Sequence, residues 1–150
     1  MADKFSQEYK KAFVDRPYGK VEASKYNGRL RQIVATYDAV GEIATADDIF
    51  LTKLPEGARV MDMRVVSPDW GTTGECNIGW LDNGVDAADA DGFFAELDCN
   101  TAAVDAKMSG LLPGWNKKFG APTDIVLKPT AVSTAMDGEQ IVVQIVYVID

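Results

Sequence analysis

The strongest constraint on the fold is a series of short apolar runs separated by turn-forming residues. In the run at 76–80, apolar side chains alternate with polar or small ones, which is typical of a strand with one buried face. In the run at 33–40, Ile33, Ala35, Tyr37 and Ala39 alternate with Val34, Thr36, Asp38 and Val40. The runs lie at 33–40, 49–51, 60–66, 76–80, 125–127 and 141–149. Proline, glycine and asparagine punctuate the intervals between them. Several short strands at such spacing predict an all-β sandwich or barrel.

One segment, residues 86–105, departs from this pattern because it is acidic and rich in alanine. We predict a helical turn at residues 93–97 within it. Residues 89–92 read Asp-Ala-Asp-Gly, which is similar to part of a calcium loop. With Gly92 at the sixth position of such a loop, the first position is Ala87 and the last is Asp98, where Asp and a bidentate Glu are needed. We therefore predict a solvated acidic loop and no metal site.

Composition excludes several classes of function. The chain has 150 residues, the length of one domain, and contains no histidine, so it lacks the commonest general base and imidazole metal ligands. We predict no catalytic residues and no cofactor. The net charge of −8 argues against binding nucleic acid or an anionic membrane, and no apolar run is long enough to span a bilayer. We expect the two cysteines, Cys76 and Cys99, to be reduced, packed thiols, with a single bridge as the alternative.

Charge is distributed unevenly along the chain. Residues 1–31 carry eight basic and four acidic side chains, whereas the remaining residues carry seven basic and nineteen acidic ones. We therefore divide the chain into an N-terminal arm, 1–29, and a β-sandwich domain, 30–150. The arm is also aromatic, and tyrosine, phenylalanine and arginine are the residues that anchor interfaces. Either the arm folds back on its own domain, or it docks on another subunit.

We favour docking, and the predicted site consists of the basic and aromatic side chains of this region. The residues that we expect to bind a partner are Tyr9, Lys10, Lys11, Phe13, Arg16, Tyr18, Lys20, Tyr26, Arg29 and Arg31.

Two further features point to surfaces. The last run places Ile141, Val143 and Ile145 on one face and several valines on the other, so the second face is covered by the arm, meets another copy, or belongs to a covered internal strand. We predict that Trp80 packs in the core. Trp70 and Trp115 fall in predicted loops and are candidates for a binding platform.

Five stretches of the sequence resemble small virion structural proteins of tailed bacteriophages. They are residues 47–60, which include Lys-Leu-Pro-Glu-Gly-Ala-Arg-Val, and residues 65–74, 78–80, 88–94 and 143–150. The similarity spans about residues 28–150. Such proteins resemble capsid cement, or decoration, proteins, which implies an antiparallel β-sandwich of jelly-roll type, often trimeric, with an extended arm.

The resemblance implies a function in assembly. We expect a cement protein that binds the outside of a phage head and bridges capsomers. Its partners would be the major capsid protein and further copies of itself in a homotrimer. It would be made in the cytoplasm of the bacterial host and then reside on the capsid exterior of the virion. The alternative is a structural or receptor-binding module of a head fibre or tail. A hydrolase is the least favoured interpretation.

Overall fold

The computed structural model describes residues 29–40, 43–71, 73–100, 104–108, 113–115, 117–131 and 138–149. These residues contain eight β-strands and no helix. The strands are β1 (Arg31–Asp38), β2 (Ile49–Leu54), β3 (Ala58–Ser67), β4 (Glu75–Trp80), β5 (Asp89–Asp98), β6 (Val104–Lys107), β7 (Thr123–Pro129) and β8 (Gln140–Ile149).

The strands form two four-stranded antiparallel sheets. The first sheet has the order β1-β8-β3-β6, and the second has the order β2-β7-β4-β5. Only β4 and β5 are consecutive strands that pair with each other; every other connection crosses from one sheet to the other. Eight strands connected in this way form a jelly roll. The predicted jelly-roll-like antiparallel sandwich is therefore confirmed.

The core lies between the two sheets. On β8, Ile141, Val143 and Ile145 are fully buried, as the alternation in the sequence predicts. The second sheet contributes Ile78 of β4 and Leu127 of β7, which stand opposite each other in register. Both sheets thus turn one apolar face inward, and this burial is the main stabilising contribution to such a fold.

The predicted helical turn at residues 93–97 is wrong, because this segment belongs to β5. The ladder between β4 and β5 shifts register twice, so β5 contains extra residues that break the period-2 alternation. Glu96 has a φ of 48°, and its amide donates to the side-chain oxygen of Asn77. Gly92 lies directly against the Trp80 ring, where a Cβ would overlap it. Because of these irregularities, the sequence of β5 does not alternate between apolar and polar residues, and the strand could not be predicted from it.

The strands have two ends, and each end gathers a set of loops. Residues 55–57, 81–88 and 117–122 lie at one end, called here the β4–β5 end, together with the start of β1. Residues 68–74 and 99–100 lie at the opposite end, called the β3–β4 end. β3 runs between them with ten residues, or about 30 Å of strand. Most of the predicted arm, residues 1–28, lies outside the described residues, so the domain division stays a prediction.

Candidate interaction surfaces

Two of the ten predicted partner-binding residues, Arg29 and Arg31, lie in the described part of the chain. Both are exposed at the β4–β5 end, and Arg31 stands opposite Tyr147 of β8. The other eight lie outside the described residues: Tyr9, Lys10, Lys11, Phe13, Arg16, Tyr18, Lys20 and Tyr26. The chain direction of β1 shows that the segment before residue 29 joins the domain at this end.

The side of the first sheet that faces away from the core is partly apolar. Val34 of β1 is 56% exposed and Val66 of β3 is 41% exposed, while Val142 and Val146 of β8 between them are half-buried. The register aligns Thr36, Val142 and Val66 in one row across three strands. We call this surface the outer face of the first sheet. The second face of the last run thus belongs to an internal strand. Val148 on that face is buried, whereas Val142 and Val146 are only half-buried.

Charge on this outer face is nearly balanced. The charged side chains at its positions are Asp38, Asp62, Arg64, Asp105 and Lys107. Arg64 donates two hydrogen bonds of 2.7 Å to the carboxylate of Asp105, and this contact lowers the pKa of Asp105. The protein as a whole is strongly acidic. The outer face would therefore oppose an approaching protein surface with little electrostatic repulsion.

The edge formed by β1 is the most regular edge in the structure. All eight of its residues pair with β8 without a register shift. The other three edge strands are less suited to pairing, because β2 and β5 contain register shifts and β6 has only four residues. Ile33 and Tyr37 point toward the core from β1 and remain half-buried. An edge of this kind can accept a further strand.

The β4–β5 end is fixed by a polar network centred on Asp86. Its carboxylate accepts hydrogen bonds from Lys117, Asn83 and the amide of Gly120. The Lys117 ammonium lowers the pKa of Asp86 to about 2. Lys117 also lies 5.6 Å from the centre of the Trp80 ring, a cation–π distance. The acidic segment is thus anchored to the loop that follows β6, which sequence patterns did not indicate.

The predicted Trp70–Trp115 platform is wrong. Trp70 is only 2% exposed: its ring packs on Gly74, and its Nε1 donates to Ser67 Oγ. Trp115 is 51% exposed and lies in the loop at the β4–β5 end, whereas Trp70 lies at the β3–β4 end. The two rings cannot form one surface from opposite ends of β3. Trp80 is buried, as predicted.

The two cysteines lie side by side in the interior. The Cys76 and Cys99 sulfurs are 3.9 Å apart, and both residues are buried as free thiols. The hydrogen bond between them, together with burial, raises the pKa of Cys76 well above its ordinary value. Sequence reasoning anticipated packed thiols but not their contact, because Cys99 follows an irregular strand.

The described residues hold no group of three or more histidine, cysteine or acidic side chains placed to bind a metal ion. Desolvation, and after it a hydrogen bond from Asp91, raise the pKa of Asp89, which lies in the segment that is similar to part of a calcium loop.

In the part of the chain that the structure describes, no helix is long and apolar enough to cross a membrane.

Comparison with solved structures shows where this fold occurs. One match is a chain of the cyanophage Pam1 capsid asymmetric unit, with a TM-score of 0.64 and 20% identity over 82% of this chain and 86% of that chain. A second is a chain of the capsid of Ralstonia phage GP4, with a TM-score of 0.62 and 15% identity over the same shares. The protein has the fold of these phage capsid chains. No protein-family model and no curated protein matches the sequence.

Proposed function

We propose that this protein is a cement protein of a tailed-bacteriophage capsid, bound to the outside of the shell and bridging capsomers. The observation that carries the proposal is the jelly roll shared over 82% of the chain with chains from two phage capsids. The resemblance of several sequence stretches to phage virion proteins supports the same interpretation.

The proposed mechanism uses two surfaces. The basic, aromatic arm binds the major capsid protein, with tyrosine and phenylalanine side chains as buried anchors and lysine and arginine paired with carboxylates. The exposure of Arg29 and Arg31 at the β4–β5 end supports this use of the basic region. The outer face of the first sheet, beside the regular β1 edge, contacts a neighbouring copy in a homotrimer.

Cementing follows from mass action and needs no enzymatic step. A protein that binds the assembled shell but not its dissociated parts stabilises the shell in proportion to its occupancy. An exposed ion pair contributes only about 0–1 kcal/mol. Three arms on one trimer nevertheless bind with high avidity, because the second and third contacts are intramolecular.

The arm's role is tested by neutralising its cations in the full chain. Lys10→Gln, Lys11→Gln and Arg16→Gln together should lower occupancy on shells assembled from the major capsid protein of the same genome. The control neutralises two cations of the domain that pair with Asp124 and Asp48: Lys53, which is exposed, and Lys128, which is half-buried. Sedimentation of shells with bound protein measures occupancy. Equal occupancy for both variants would reject the arm as the capsid-binding element.

The alternative of a receptor-binding module has lost its main support. That interpretation depended on a joint platform of Trp70 and Trp115, and Trp70 is buried at the opposite end of the domain from Trp115. A binding assay for capsid shells therefore tests the proposal against it directly.

A further inference from the structure

We propose that Cys76 and Cys99 are an oxidisable pair, and that hydrogen peroxide converts them into an intramolecular disulfide that locks β4 to the end of β5. The proposal rests on the placement of the two sulfurs in the fold and does not require capsid binding.

The backbone holds both residues in place. Cys76 stands opposite Leu97 on one side of β4 and Pro129 on the other. Cys99 follows two residues after Leu97, and its amide donates to the Gly74 carbonyl at 2.8 Å. Its carbonyl accepts from the Trp70 amide at 2.9 Å. The two side chains are therefore diagonal neighbours on the core face of the sheet.

Little movement separates this arrangement from a bond. The sulfurs are 3.9 Å apart, so they must approach by about 1.9 Å to reach the length of an S–S bond. Rotation about the Cα–Cβ bonds provides part of this approach. The rest requires a small backbone shift at Cys99 within its two hydrogen bonds. Such a shift meets little resistance from the sheet, because among the described strands β5 is an edge strand with no neighbour beyond β4.

The reaction is balanced with peroxide as the named oxidant. One cysteine thiolate attacks a peroxide oxygen, the O–O bond breaks, and a sulfenic acid and water form. The sulfur of the second cysteine then attacks the sulfenic sulfur, the S–O bond breaks, and a second water leaves. Two thiols and one peroxide thus give one disulfide and two waters.

Burial determines when the reaction occurs. Both side chains are at most 1% exposed, so peroxide reaches either sulfur only slowly. The pair therefore stays reduced in a cytoplasm and oxidises slowly outside it. Since that change of compartment rests on the proposed function, a virion would acquire the bond after release. The closed loop runs from residue 76 to residue 99 and constrains the unfolded chain.

The test treats the full-length protein with hydrogen peroxide and compares it with protein kept in a thiol reductant. We expect a mass loss of 2 Da (two hydrogens), the loss of both titratable thiols, and a peptide in which residues 76 and 99 are linked. The thermal midpoint should rise by roughly 5–10 °C. Cys99→Ala is the control variant. A single chain of this variant should show neither the mass loss of 2 Da nor the rise in thermal midpoint.

Three outcomes would overturn the proposal. The first is that both thiols remain titratable after prolonged exposure, although the protein unfolded in urea oxidises fully. The second is the addition of oxygen to each sulfur without the 2 Da loss. The third is a linked peptide with no rise in midpoint, which would reject the locking role. All these readouts are made without capsids, so a failure of shell binding by the reduced protein rejects the cement proposal alone.

Discussion

Lys117 Nζ lies 2.8 Å from Asp86 Oδ1, and this ion pair joins the loop after β4 to the loop after β6. The Asp86 side chain is only 13% exposed, and its other oxygen accepts from Asn83 and from the amide of Gly120. A carboxylate with three donors is stabilised in its charged form. Lys117, Asn83 and the Gly120 amide thus hold the acidic loop together.

Replacing Asp86 with asparagine should lower the free energy of unfolding at pH 7 by about 1–3 kcal/mol, because a charge-assisted hydrogen bond is lost in a half-buried site. Urea unfolding measures the change. Asp105→Asn is the matched control. It removes an ion pair with Arg64 that is exposed to solvent, and it should leave the midpoint unchanged. If both variants lose the same free energy of unfolding, the Asp86 network does not stabilise the protein more than an exposed ion pair does.

The same carboxylate predicts a pH dependence. The pKa of Asp86 is about 2 in the folded protein, below the value of about 3.9 for an unfolded chain. Its contribution is therefore complete above about pH 5 and is lost as the pH falls toward 2. Between pH 5 and pH 2 the wild-type protein should lose more stability than Asp86→Asn. Parallel curves for the two proteins would refute this source of acid sensitivity.

The two loop tryptophans should respond differently to truncation. Trp70→Ala removes a buried ring and should cost about 3–5 kcal/mol, whereas Trp115→Ala should change stability by less than about 0.5 kcal/mol. Thermal unfolding of both variants compares them directly. A clear loss of stability in Trp115→Ala would show that the Trp115 ring is more buried in solution than its exposure of 51% indicates.

Gly79 should tolerate no side chain, because an added Cβ would overlap the Asp89 carbonyl. Gly79→Ala should therefore destabilise the domain by about 3 kcal/mol through overpacking. Gly84 has a positive φ of 84° but open space around it, so Gly84→Ala should cost only about 1 kcal/mol. Chemical denaturation distinguishes a steric cause from a conformational one. The reverse ranking would mean that the start of β5 moves aside.

The outer face of the first sheet should control self-association. Val34→Glu places a charge on it, and the proposed homotrimer should then dissociate at concentrations where the wild-type protein stays associated. Phe50→Glu is the control, since Phe50 is 61% exposed on a strand of the second sheet. Analytical ultracentrifugation reports the mass, and far-UV circular dichroism confirms folding. If the Val34→Glu protein is still trimeric, the outer face of the first sheet is not the surface through which the copies associate.

The regular strands could be predicted from the sequence, and the irregular ones could not. β8 and β4 alternate cleanly because each keeps one face in the core without a bulge of its own, so their side chains follow the pleat. β5 was not predicted, because its extra residues and the positive φ of Glu96 interrupt the two-residue alternation of a regular strand. β6 has only four residues, too few for a pattern.

The candidate surfaces were harder to predict than the fold. The exposure of Val34 and Val66 depends on which strands are neighbours, and β1 and β3 are joined through β8, the last of the described strands. The burial of Trp70 depends on a hydrogen bond with Ser67 and on the missing side chain at Gly74. The Trp70 contacts are close in sequence but require one particular loop conformation. The strand neighbours are distant in sequence. An alternation of apolar and polar residues contains neither kind of information.

The central position of β8 has a consequence for synthesis. β1 and β3 leave the ribosome early, but the strand that joins them is completed only at residue 149. A nascent chain that stops before residue 140 lacks β8, so β1 and β3 have no strand between them and the first sheet cannot form. Pairing over such sequence distances also slows folding. A prematurely terminated chain would therefore leave the edges of β1 and β3 unpaired, and it should be cleaved faster by an added protease than the full chain.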